Sequence, residues 1–272
     1  MKEMPVNATG EFIGVTDHRL WKVLDNYVDG CMQRQDLIYV DAFFVGETAC
    51  KRGHKYVSIF ADRNHKIIFV THGDDSSTMT AFREHLVAHG GRVENIKLIC
   101  CDMGKGFKSG IEKEFPNAIV IYDRFHVMEH MTLAVDKARR HEWNVLRESG
   151  RLKEATYLKG QRFLLLKNIG NLQDWQEARV DAIKKSHKDI GTVYSLKESL
   201  RDTGDFESKY DASDHLVAWL LATKHTGLGS LKDIITLIDK NFDEILHWFD
   251  SGMSNGVMES INSVIQAVKA RA

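Results

Sequence analysis

Proline is almost missing from this chain: Pro5 and Pro116 are its two prolines in 272 residues. Extended linkers and proline-rich low-complexity segments are thereby excluded. Cysteine is nearly as scarce. Cys31, Cys50, Cys100 and Cys101 form no C-x-x-C pair, and the adjacent Cys100 and Cys101 in an apolar run suit reduced thiols, so a cytoplasmic location is expected. No apolar run approaches the roughly 18 residues that span a bilayer, and no charged start leads into an apolar stretch. Neither membrane insertion nor secretion is expected. Net charge is also lacking, with 37 Lys plus Arg against 38 Asp plus Glu. Any contact with a polyanion must therefore come from local patches. No internal repeat is present. What remains is a 43% hydrophobic chain, long enough for one large domain or two modest ones with a real core.

The order of elements points to an α/β class. Residues 1–35 open on a polar stretch, and Thr16 or Asp17 can cap an amphipathic helix carrying Leu20, Trp21, Leu24 and Tyr27. Three strands in a meander are expected at Leu37 to Phe44, Lys55 to Ala61 and Lys66 to Thr71. Ser76 or Ser77 then caps a helix ending at Gly90 and Gly91, and a strand closes at Cys101. A short helix from about Lys105 to Glu114 and a strand from Ala118 to Tyr122 follow. This β-β-β-α-β-α-β order predicts a mixed sheet flanked by helices, the ribonuclease-H-like plan. Beyond Phe125 the periodicity is helical. Helices are expected through Met128 to Leu146, Trp175 to Ile183, Val193 to Leu200, His215 to Ala222 and Leu231 to Phe249. The resulting division is a connector over 1–35, a core over 36–149, a helical insertion over 150–250 and a closing helix over 251–272.

The chemistry is expected at the sheet's carboxyl rim, where ligands bind in open α/β folds. Asp102 closes one strand there, and Asp123, Arg124, Phe125 and His126 close the next. Glu259 lies one turn into a helix opened by Ser254, Asn255 and Gly256. A strand-end aspartate converging with a late-helix glutamate can bind divalent ions for phosphoryl transfer, which makes DNA the expected substrate. Blander roles compete: Asp102 and Asp123 can each cap the helix that follows, and His126 can be a solvated first-turn residue. His126, Glu129 and His130 lack the zincin helix spacing, so a zinc protease is excluded.

Arg52-Gly53-His54-Lys55-Tyr56, Cys101-Asp102-Met103, Asp123-Arg124-Phe125-His126-Val127, Leu158-Lys159-Gly160, Leu166-Lys167-Asn168 and Ser254 through Asn262 occur in an order and spacing that resembles one family. It is the ISL3 family of bacterial insertion-sequence DDE transposases, and the resemblance runs from about residue 14 to the end. It implies that Asp102 is the second catalytic aspartate and Glu259 the third acid, both binding Mg2+ or Mn2+. Asp123 and His126 match the family's Asp-x-x-His signature. The implied reaction is two-metal hydrolysis of a phosphodiester at the element's ends, followed by attack of the freed 3′-hydroxyl on target DNA. The implied partners are double-stranded DNA, as element ends and target, and a second copy or a full-length transposase. The expected location is then cytoplasmic, associated with the nucleoid when bound to DNA.

Departures from the pattern accompany the match. Family members carry Val-Asp-Glu-Thr where this chain reads Val45-Gly46-Glu47-Thr48, so Gly46 replaces the first acid. Asp41 is the nearest substitute ligand, although an offset of five residues turns it to the other face. The zinc-binding segment and helix-turn-helix region that precede the core in relatives are not found ahead of Val15, so loss of end recognition is expected. The readings are then a transposase core, active or an inactive remnant, or a non-catalytic protein of the same fold that binds DNA or transposase, with a stand-alone ribonuclease-H-like nuclease disfavoured because simple hydrolysis has no evident need of the helical insertion. For DNA contact the best candidates are Lys105 and Lys108 beside Asp102, with Lys269 and Arg271 on the closing helix. Trp175, Trp219 and Trp248 recur among Leu and Ile and are read as core.

Overall fold

A computed structural model describes residues 4–51, 55–103 and 105–271, with the side chains of 51, 55, 105, 270 and 271 outside the described set. The chain divides into two compact units, one of residues 1–120 with 254–272 and the other of residues 121–253.

The first unit opens with helices α1 (Val6–Ile13) and α2 (Asp17–Gln33). It continues through strands β1 (Ala42–Lys51), β2 (Lys55–Asp62) and β3 (Ile67–His72), helix α3 (Ser77–Ala88), β4 (Leu98–Cys101) and α4 (Lys105–Glu114), and strand β5 (Ile119–Tyr122) spans the boundary at residue 120. Strand order is β3-β2-β1-β4-β5, with β1-β2 and β2-β3 antiparallel and β1-β4 parallel. The mixed sheet of the sequence analysis is therefore present. Side chains alternate across β1. Phe43 points to the face where Phe60, Phe82 of α3 and Phe115 gather, with Phe60 stacked on Phe82 at 4.4 Å. A Cβ at Gly110 of α4 would lie 2.7 Å from Met79, so glycine there lets α4 approach α3.

Two expectations are corrected here. The first strand does not occupy Leu37 to Phe44 but begins at Ala42 and runs through Gly46. Leu37 and Val40 are buried, yet they belong to a turn in which Val40 N–H donates to the Leu37 carbonyl. A short apolar run does not distinguish a strand from a buried turn, and an internal glycine weakens the strand signal beyond it. The polar opening also holds a helix, α1, that the sequence pattern did not indicate.

The second unit is helical: α5 (Arg124–Glu148), α6 (Leu152–Gly160), α7 (Arg162–Leu166), α8 (Asp174–Ser186), α9 (Lys188–Asp202), α10 (Lys209–His225), α11 (Lys232–Lys240) and α12 (Phe242–Ser251). The stretch from Leu231 to Phe249, expected as one helix, is broken at Asn241, whose side-chain amide donates to the Leu237 carbonyl. That local hydrogen bond competes with continuation of the helix. Val193, Ile190, Tyr194, Trp219 and Ile238 fill the interior. The chain then returns to the first unit as α13 (Gly256–Arg271). Among the described residues no helix is long and apolar enough to cross a membrane.

Candidate functional site

Parallel pairing fixes the site's first two positions. Val45 of β1 lies opposite Cys101 of β4, so the next step along the ladder sets Gly46 beside Asp102 at the carboxyl ends of both strands. Both residues have the parity of Phe44 and Cys100, which places them on the face that α13 covers. Asn255 is buried just ahead of α13, and its side-chain amide donates to Asp102 Oδ1 at 2.7 Å. Three residues on, the buried Met258 packs on Gly46: a Cβ at position 46 would stand 3.3 Å from Met258 Cβ and 3.4 Å from its Cε. Further along the same face Asn262 donates to the Glu47 carbonyl at 3.2 Å, and Gln266 donates to Thr48 Oγ1 at 2.8 Å. This periodic stitching holds α13 along β1.

Glu259 follows Met258 and is exposed, one helical turn beyond Asn255. An (i, i+4) pair occupies neighbouring positions on one helix face. The Glu259 N–H donates to the Asn255 carbonyl at 3.1 Å, which ties the first turn of α13 to the holder of Asp102, while Asn255 Oδ1 is buried with no hydrogen-bond partner among the described residues.

The remaining predicted residues are placed differently. Asp41 lies just before β1, at its amino end, and is ion-paired to Arg63 at 2.8 Å. Five residues of strand separate it from Gly46, roughly 16 Å of rise, so the structure does not bring Asp41 to Asp102. Asp123 is fully buried and caps α5, accepting from the Phe125 N–H at 3.3 Å. His126 Nδ1 faces Glu129 at 3.3 Å on the same helix. Asp123 and His126 belong to the helical unit. Lys269 donates to the Ala49 carbonyl of β1 at 2.8 Å, and Lys108 is half-buried on α4. The side chains of Lys105 and Arg271 lie outside the described residues, as does the Arg52-Gly53-His54 motif. Among the described residues no group of three His, Cys, Asp or Glu is arranged to hold a metal ion.

Sequence reasoning missed the roles of Asn255 and Met258. A buried asparagine at a helix start is the available signal, but its partner is set by tertiary contact. Of the three tryptophans read as core, Trp219 is buried and donates to the Leu196 carbonyl at 2.8 Å. Trp175 instead is more than half exposed, with Arg179 over its ring, and Trp248 lines a cavity. Periodicity among Leu and Ile does not tell a packed indole from one at a helix margin.

Comparison with known proteins now decides the family. The profile of the ISL3-type DDE family, described as transposase, matches residues 44–272. This chain belongs to the ISL3 family of transposases. Among its relatives, the transposase for insertion sequence element IS1001 of Bordetella parapertussis is 25% identical over 270 residues, covering 98% of this chain and 65% of the relative. The transposase for insertion sequence element IS1557 of Mycobacterium tuberculosis is 26% identical over 242 residues, covering 82% of this chain and 54% of the relative. The chain therefore spans between about half and two thirds of the length of these curated relatives.

Proposed function

We propose that this chain carries the catalytic core of an insertion-sequence transposase, a ribonuclease-H-like sheet whose helical segment interrupts the path to the final acidic helix. Its substrate is double-stranded DNA, at the element's ends and the target. The observation that supports this most is the Asn255–Asp102 hydrogen bond, which joins the carboxyl rim of β4 to the helix that carries Glu259.

Asp102 and Glu259 would hold a divalent ion such as Mg2+ or Mn2+. Two carboxylates, with room for water and phosphate oxygens, fit one hard cation. A second ion needs a further oxygen donor, and Gly46 supplies none. When bound, the ion polarises a phosphoryl oxygen and favours deprotonation of the attacking water or 3′-hydroxyl. Asn255 orients the Asp102 carboxylate, and Met258 excludes water from the floor beneath it. On this reading Lys108 and Lys269 attract the phosphate backbone.

A second reading, a non-catalytic protein that binds DNA or pairs with a full-length transposase, is favoured by one observation. Met258 packs onto the place where the first acid's side chain would stand. Metal-dependent nicking and strand transfer by the parent chain, Gly46→Asp, and Gly46→Asp with Met258→Ala separate the two. The catalytic reading expects Mg2+- or Mn2+-dependent nicking to be greatest in the double variant and abolished by adding Asp102→Asn. If every variant binds DNA and none cuts it, the non-catalytic reading stands. Loss of a parent activity on Asp41→Ala would mean that Asp41, not position 46, supplies the first acid.

A further inference from the structure

Within the helical unit a cavity of about 290 Å³ opens beside the start of α5, and neither the Asp102 site nor the packing of the helices explains its lining. Arg124 and Phe125, the middle residues of the Asp123-x-x-His126 motif, form one wall with Trp248 and Phe249 of α12. The Arg124 guanidinium lies over the Trp248 ring at 4.7 Å and donates to the Gly204 carbonyl at 3.2 Å. Among the described residues Arg124 meets the Gly204 carbonyl and the Trp248 and Phe125 rings, none of them a carboxylate. Thr203 lines the same cavity, is 8% exposed, and its Oγ1 has no hydrogen-bond partner there. Arg201 Nε, also at the lining, is likewise without one.

Buried polar atoms are costly unless something satisfies them, so an orphaned hydroxyl in a mostly apolar cavity calls for a ligand with a polar edge. The aromatic and guanidinium wall calls for a flat, π-rich body, and the unpaired Arg124 at its margin for an anion attached to it. A cavity of this size lies at the small end of the roughly 300–1,000 Å³ range of ligand sites, too small for a duplex and suited to one planar group. We infer that the cavity receives a single nucleobase with its phosphate, everted from the DNA that the proposed function places on this chain. The base stacks against Trp248 and Phe125, the hydroxyl of Thr203 meets its polar edge, and Arg124 meets its phosphate. On this inference Asp123 serves the motif by capping α5, which holds Arg124 and Phe125 at the cavity's wall.

The inference rests on DNA being the substrate, and the test separates the two claims. A duplex bearing one unpaired 2-aminopurine is titrated with the full chain, following anisotropy for total binding and 2-aminopurine emission for capture of the base. A parallel arm uses 2-aminopurine deoxyribonucleotide alone. The expected result is a saturable emission change on the duplex. Trp248→Ala should weaken it roughly ten- to a hundredfold, with a smaller fall in anisotropy-measured affinity. Thr203→Val should weaken the emission change while leaving duplex binding in place. Gly204→Ala offers an independent check on folding effects, because its Cβ would stand 2.5 Å from Arg124 Nη1 and displace the guanidinium. Duplex binding without an emission change overturns the base site and leaves the DNA substrate standing. No duplex binding overturns both. Capture of the free nucleotide but not of the duplex base overturns the assignment to DNA.

Discussion

In the sheet unit the largest side chains meet ring to ring, Phe60 on Phe82 at 4.4 Å and Phe43 on Phe82 at 4.7 Å, between strands whose register is set by long-range pairing. In the helical unit a buried carboxylate gathers side chains instead. Asp136 of α5 is 7% exposed and accepts from Arg139 Nη2 at 2.7 Å, with Arg140 Nε at 3.1 Å and Arg162 Nε at 3.6 Å. Lys197 of α9, wholly buried, donates to the Lys167 carbonyl and lies over Tyr194 at 4.1 Å. Burial holds its ammonium below the usual lysine pKa, while Tyr194 is pushed above the usual phenol value by the same cause. Glu198 Oε1 lies 3.0 Å from the Lys197 ammonium and offsets part of the cost of burying that charge. The contrast follows from geometry. A sheet face presents a broad apolar plane that aromatic rings can tile, whereas short helices with many ends enclose polar groups that must find partners.

The contrast can be broken most strongly at its centres. Phe82→Ala should cost about 3–5 kcal/mol in urea unfolding, since it empties the site where four rings converge. A loss under about 1 kcal/mol would show that the ring cluster is not the sheet unit's keystone. Asp136→Leu should cost about 3 kcal/mol, because it strands the buried Arg139, and adding Arg139→Met should recover most of that loss. Failure of the second change to recover stability would mean that packing, not charge pairing, governs this position. At the candidate site Asn255→Ala should cost about 1–3 kcal/mol by leaving the Asp102 oxygen short of a donor. It should also lower Mn2+ affinity about 10–100-fold, measured by calorimetry, if Asp102 is a ligand.

The smallest effect concerns acid. His85 of α3 stacks on Phe69 and lies beside His89, and burial followed by the His89 charge holds its pKa below 6.5. The unfolded chain therefore takes up this proton first as pH falls, so His85 contributes stability that is present above pH 6.5 and lost as pH drops through the folded value. The melting temperature of His85→Gln should accordingly depend less on pH between neutral and mildly acidic conditions than the parent's. An unchanged pH dependence would remove His85 from the account.

Legibility in the sequence followed the range of the interactions involved. Helices α4 and α5 and strand β5 were visible because periodicity, the stop at Pro116 and the β-branched run are local signals. Strand β1 was misplaced because its signature apolar run starts in a turn, and because Gly46, which is itself paired with Ile59, weakens the strand pattern in sequence. Asp102 and Glu259 were identified as rim and closing-helix acids from the order of elements together with family resemblance. The amide that joins their elements was not, since no pattern links residue 255 to residue 102. Asp123 had two possible roles in sequence, and the structure shows the capping one through its bond to the Phe125 N–H.

The sequence by itself determined the alternation of strands and helices, the shift to helix after Phe125, the family, and the glycine at position 46, because all of these reside in residue type and spacing. Only the tertiary structure decided that Gly46 stands beside Asp102, that Met258 packs against it, that Asn255 holds the aspartate, and that Trp248 faces a cavity. Each of those depends on strand register or helix rotation, and a shift of one residue in either would send the same side chains to another face.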